Sequence, residues 1–313
     1  MVQNSNRKII SALCVAAALG SSATVLADPV YEGPRTVLIQ KPAKKAVATV
    51  NSQVRAHNAP ADVSLSNAAA LSSFRVKFDN GDHALRSMSV AKQSDQTAGL
   101  WMSDSNSDDP ISATGTWWVI PGATGGQLTT SISSGQEINL SVPAGPLNHR
   151  LVLGGFSFNI GGTASNFETG EVQLQRLAIR VRDPHPAASN SAASRISGVV
   201  YTNDGNRPIT VTVQYVWVPD SYIASGGIVT NQSPRTASRA RVRSRDQAVG
   251  QMPTSERYLI ESFDFQFTNG THNMLGLGVH LNGTESATTE AITWQDNNRD
   301  DPIAWSVSYL QMR

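Results

Sequence analysis

Trp294-Gln-Asp-Asn-Asn-Arg-Asp-Asp-Pro-Ile-Ala-Trp-Ser-Val-Ser-Tyr309 lies close to the C-terminus. An aromatic residue enters and an acidic loop closes at Pro302. The chain then leaves through Trp305, Val307 and Tyr309, with the two-residue period of a half-buried strand. The same plan runs upstream from Trp101 through Asp104, Asn106, Asp108, Asp109 and Pro110 to Trp117 and Val119. A looser copy runs from Tyr201 through Asn203, Asp204, Asn206 and Pro208 to Tyr215 and Trp217. Three copies of one plan imply three related units. The expectation is an all-β fold of three tandem antiparallel β-sandwich repeats, packed with pseudo-threefold symmetry because a closed arrangement satisfies every interface.

Working outward from the loops, the repeats span 54–121, 136–219 and 252–313. The first and third open on matching strands, Phe74-Arg-Val-Lys-Phe78 and Phe263-Asp-Phe-Gln-Phe267. Both strands run into an Asn-Gly turn followed by histidine, Asn80-Gly-Asp-His83 and Asn269-Gly-Thr-His272. Asn-Gly accepts the positive φ angles that a tight hairpin needs. Short strands with turn signals at regular spacing belong to antiparallel sandwiches and barrels, and no helical period competes with them. Between the second and third repeats, 220–251 is an arginine-rich linker holding Arg235, Arg239, Arg241, Arg243 and Arg245. No aromatic residue is interleaved there for stacking, so it reads as a solvated loop. Residues 28–53 read as an N-terminal arm, rich in proline and lysine and long enough for one strand.

At the start of the chain, Arg7 and Lys8 precede an apolar run from Ile9 to Leu19, and small residues lead to Ala27. That three-part pattern is a secretory signal peptide over 1–27, too short in its apolar run to cross a bilayer. The sole cysteine, Cys14, leaves with it, so disulfides and thiol chemistry are not expected. Losing Arg7 and Lys8 takes 25 basic residues to 23 against 24 acidic ones. A near-neutral chain has no electrostatic draw toward nucleic acid, and no later stretch has the length of a membrane span. The expected location is secreted, periplasmic or on the cell surface.

Two of the loops carry Asp-x-Asn-x-Asp-Asp-Pro: Asp104, Asn106, Asp108 and Asp109, then Asp296, Asn298, Asp300 and Asp301. Oxygen side chains at alternate positions suit Ca²⁺, which takes about six to eight oxygen ligands. The same residues also serve as caps of a tight turn, and the middle copy, Asp204-Gly-Asn-Arg-Pro208, keeps the turn while losing acidic residues. His83 and His272 read as residues that fix their hairpins. Trp101 and Trp294, each beside its acidic loop with Asp104 or Asp296, are the candidate ligand-binding residues, because an aromatic face next to carboxylates and amides suits a sugar. Nucleophile elbows, zinc-protease motifs and phosphate loops are all missing from the sequence, so an enzyme is not expected.

Thr293-Trp-Gln-Asp296, the later Val307-Ser-Tyr309 and the preceding Leu277-Gly-Val279 together resemble the H-type lectin repeat. That resemblance implies six-stranded antiparallel sandwiches, trimeric packing and recognition of N-acetylgalactosamine-like sugars. It carries over at Trp294 and Asp296, and more loosely at Trp101 and Asp104; the family's strand arginine falls on Gly276. The resulting expectation is a secreted binding protein for carbohydrate or another cell-surface or matrix ligand. The alternative is a structural or adhesive assembly component.

Overall fold

The computed structural model describes residues 41–54, 57–65, 68–104, 109–161, 172–182, 194–231, 248–249, 257–279, 289–290, 292–295 and 303–313. The stretch read as a signal peptide, the five linker arginines, and Asn106, Asp108, Asp296, Asn298, Asp300 and Asp301 lie outside them. The strands of the first unit are β1 (Lys44–Val54), β2 (His57–Pro60), β3 (Ala69–Phe78), β4 (Ser87–Lys92), β5 (Thr97–Ser103) and β6 (Pro110–Val119). The second has β7 (Thr124–Ile132), β8 (Glu137–Ser141), β9 (His149–Ile160), β10 (Leu174–Arg182), β11 (Arg195–Thr202) and β12 (Ile209–Pro219). The third has β13 (Ile223–Asn231), β14 (Ala248–Val249), β15 (Tyr258–Phe267), β16 (Gly276–Val279), β17 (Thr289–Glu290), β18 (Ile292–Gln295) and β19 (Ile303–Met312).

The chain is all-β, with three large antiparallel sheets. Sheet I runs β1-β6-β3-β16-β18, sheet II β2-β5-β4-β9-β12-β7, and sheet III β13-β19-β15-β10-β11-β8. Each sheet therefore draws on two units. The first and last long strands of one unit pair together, and the next two strands come from another. Sheet I joins first to third, sheet II second to first, and sheet III third to second. The turns repeat this cycle, because His83 bridges Met274, His272 bridges Leu174, and Val172 bridges Leu85. The described residues from Lys41 onward form one compact body.

Alternation along the strands explains why one core serves all three sheets. Phe74, Phe156 and Phe263 point inward from β3, β9 and β15 and meet in a triangle, with ring centroids 5.3, 5.6 and 5.0 Å apart. Two residues before each of these rings the ladder slips, with Ser72, Gly154 and Glu261 as the bulged positions. A bulge turns the strand, so the residues before it present their opposite face inward. Ala70, Val152 and Leu259 there build a second apolar cluster with their cross-strand partners Trp118, Val216 and Leu310. A fully buried phenylalanine contributes roughly 2–3 kcal/mol through burial alone, and each aromatic pair about 1 kcal/mol more.

Two segments are more ordered than their composition suggests. Part of the N-terminal arm is β1, paired along β6, and part of the linker is β13, paired along β19. Both lie at sheet edges, where one face and one side of the backbone meet solvent. Lys44, Lys45, Gly226 and Gly227 are tolerated there, and they hide the apolar alternation.

Candidate functional site

The first unit's hairpin turn brings its chemistry together. Gly81 takes φ 138°, open to glycine and strained for other residues. This turns the chain so that Asn80 Oδ1 lies 3.1 Å from His83 Nε2, while the imidazole packs against Phe78 at 4.7 Å. The ring is thereby fixed, and its other nitrogen faces the acidic loop. His83 Nδ1 lies 3.0 Å from Asp109 Oδ2 and 3.5 Å from Asp104 Oδ2. Asn80 Nδ2 donates to Asp109 Oδ1. His83, Asp104 and Asp109 each offer a ligand atom within 4.8 Å of the other two.

Asp104 is 3% exposed, so one carboxyl of this group is removed from water. For Asp109, burial pushes the pKa up, but its hydrogen bonds with Asp104 and Asn80 and the charge of His83 outweigh that and hold it below the ordinary value. Two carboxyl groups in contact need positive charge or a shared proton between them. An imidazolium at His83 supplies one unit of charge. A divalent cation, taking the Nδ1 lone pair and an oxygen of each carboxylate, supplies two.

The related turns show how much of this belongs to the hairpin alone. In the third unit Asn269 Oδ1 lies 3.0 Å from His272 Nε2, the ring packs on Phe267 at 4.4 Å, and Gly270 has φ 132°. The hairpin-fixing role read from the sequence thus recurs in both histidines. In the second unit, Val172 occupies the histidine's place in the cycle of bridges. Asp204 there is a turn residue, accepting from the Asn206 amide at 3.0 Å and from Arg207 Nε at 2.6 Å. The Asn206 hydrogen bond, ahead of opposing desolvation and the help of Arg207, holds its pKa below the ordinary value.

Trp101 is half-buried, and its indole donates to Ser87 Oγ at 3.2 Å. Ser87 Oγ in turn lies 2.6 Å from Ser103 Oγ, next in sequence to Asp104. The two candidate tryptophans do not share a register position. Trp101 pairs with Ser89, whereas Trp294 pairs with Leu277, the place that Met102 takes opposite Met88. Its acidic partner Asp296 lies outside the described residues.

The sequence left His83 out of the ligand set, since its distance from Asp104 and Asp109 is closed only by the β4–β5 hairpin. The signal was the histidine's recurrence with the Asp-Asp pair: copies one and three carry both, and copy two carries neither. Against known proteins, the chain matches no family model and no curated sequence.

Proposed function

We propose that this is an exported carbohydrate-binding protein, in which a divalent cation held by His83, Asp104 and Asp109 forms part of the ligand site. The observation that supports this reading is the convergence of one imidazole nitrogen and two carboxylate oxygens within 4.8 Å. Three protein ligands leave positions open on the cation. Neighbouring hydroxyls of a sugar suit those positions, while the indole of Trp101 offers an apolar face to the ring's C–H groups. One nitrogen among the donors favours Zn²⁺ or a related transition ion over the Ca²⁺ expected from the loop oxygens, because Ca²⁺ prefers all-oxygen sets.

The test is the melting temperature of the chain after stripping with EDTA. A ligand held only by the folded state stabilises it, by about 2.7 kcal/mol at a hundredfold excess over Kd. Added ZnCl₂ raises the midpoint in the wild type and not in His83→Ala. No rise with Zn²⁺, Mn²⁺ or Ca²⁺ removes the cation. A glycan array that stays silent with and without metal, beside concentration-dependent self-association in the ultracentrifuge, replaces the carbohydrate reading with the assembly alternative.

A further inference from the structure

We infer that the cleft where β4 leaves β9 binds a neutral oligosaccharide, independently of the cation. This rests on the reading of the protein as a carbohydrate binder, and apart from Trp101, which both readings use, it concerns residues that the cation site does not use.

The backbone ladder between β4 and β9 ends with Val90 opposite Phe156. Beyond it, the Gly154 bulge carries β9 away, and Gln214 of β12 spans the gap. Its Oε1 accepts from the Lys92 amide at 2.9 Å and its Nε2 donates to the Lys92 carbonyl at 2.8 Å, standing in for a neighbouring strand. Gly155 leaves the room for that span: a Cβ there would sit 2.6 Å from the Val90 carbonyl oxygen. The separation opens a cleft of about 360 Å³, within the ordinary range for small-molecule sites.

The chemistry of its lining selects the ligand. Lys92 and Asp95 are the charged residues of the lining, and they pair with each other at 2.6 Å, so neither an anion nor a cation is favoured. Gln93 and Gln127 offer exposed amides that both donate and accept. Gly125 sits exposed on β7, the edge strand of sheet II, where a backbone without a side chain can be approached closely, while the Tyr215 ring already fills the space over Gly126. A hydroxyl also donates and accepts, and a neutral molecule carrying many of them fits such a lining.

Outside the lining, the Trp101 ring packs beside one of its amides. A Cβ at Gly99 would lie 2.5 Å from the Trp101 ring and 2.6 Å from the Gln93 amide, so ring and amide meet over that glycine. An indole beside an amide holds a pyranose by both of its surfaces, C–H on the ring and hydroxyl on the amide. From Gly99 to Ser103, beside the cation site, the strand covers roughly 13 Å.

The experiment uses the full chain on an array of neutral gluco-, manno-, galacto- and N-acetylglucosamine-based oligosaccharides, in EDTA and again with ZnCl₂. In EDTA the wild type binds a subset, and Gln93→Ala/Gln127→Ala weakens that binding at least tenfold. Thr49→Ala, an exposed change in sheet I, leaves it intact. The double variant keeps the wild-type melting temperature, since both side chains are exposed. Full binding by the double variant, or binding that requires Zn²⁺, overturns the cleft and leaves the carbohydrate reading standing. Silence of the wild type under both conditions overturns both.

Discussion

Asp264 in sheet III and Ser157 in sheet II occupy corresponding places, each directly after its inward phenylalanine and facing outward. Around Asp264 the surface is closed by charge. Arg176 donates to it through Nε at 2.9 Å and Nη2 at 2.7 Å, and Arg180 adds a further contact. Around Ser157 the face carries no charge: the cross-strand row runs Thr129, Thr212, Ser157, the fully buried Ser89 and Trp101. The next row runs Ser131, Thr210, Asn159, Ser87 and Ser103. One lattice of strands has thus been given two surfaces. Sheet III spends its polar groups on each other, while sheet II keeps hydroxyls and an indole between a cation-type cluster and a neutral cleft. The frame supplies geometry, and the outward alternation decides whether a face is closed by ion pairs or left uncharged.

The comparison holds only while the shared frame does, so the largest effect is expected beneath both faces. Phe156→Ala empties one corner of the aromatic triangle under sheet II. Deleting a fully buried phenylalanine costs about 4 kcal/mol, a fall in melting temperature on the order of 10 °C for a body of this size. Phe263→Ala should cost about the same, although its ring underlies sheet III. Calorimetry of the two variants checks this. A clear inequality would mean that the sheets rest on separate cores and that the match between their faces is superficial.

Asp264→Asn tests the closed face alone. Burial raises the pKa of Asp264, but hydrogen bonds and charge from Arg176 and Arg180 outweigh it and hold the pKa below the ordinary value. A depressed carboxylate stabilises the fold above its unfolded pKa, and that stability is lost as pH falls through the folded one. The variant should be less stable by roughly 2 kcal/mol at pH 7, with the gap closing below about pH 4. Urea midpoints at several pH values measure it. A gap that does not change with pH would remove the ion cluster as its cause.

The sequence made the frame legible and left most of the site hidden, for a physical reason. Alternation around Phe74 and Phe263, the Asn-Gly turns and the repeated loops all depend on neighbours in the chain, and they predicted an all-β fold of related units. The exchange of strands does not. It depends on β4 lying nearer to β9 than to the end of β3, which no local pattern records. Asp104 and Asp109 were readable because they recur with proline and tryptophan, whereas His83 joined them only through the hairpin. Gln93, Gln127 and Gln214 left no trace. Uncharged amides on two strands and a turn, the furthest pair over a hundred positions apart, acquire meaning only when a bulge parts two strands between them.

The smallest effect is the sharpest test of the difference between the faces. Ser157→Asp writes the Asp264 carboxylate into sheet II. The arginines that meet Asp264 correspond there to Ser87 and Ala91, so the new charge is half-buried among hydroxyls without a cation beside it. Desolvation then raises its folded pKa above the unfolded one, and such a carboxylate destabilises the fold once ionised. At pH 7 the variant should lose about 1 kcal/mol, recovered as pH falls below about 4 and the group takes up its proton. Ionisation therefore acts with opposite sign at the two places, stabilising at 264 and destabilising at 157. Equal signs in paired urea titrations would mean that sheet II already holds a positive charge near Ser157. Its face would then select an anionic ligand, not a neutral sugar.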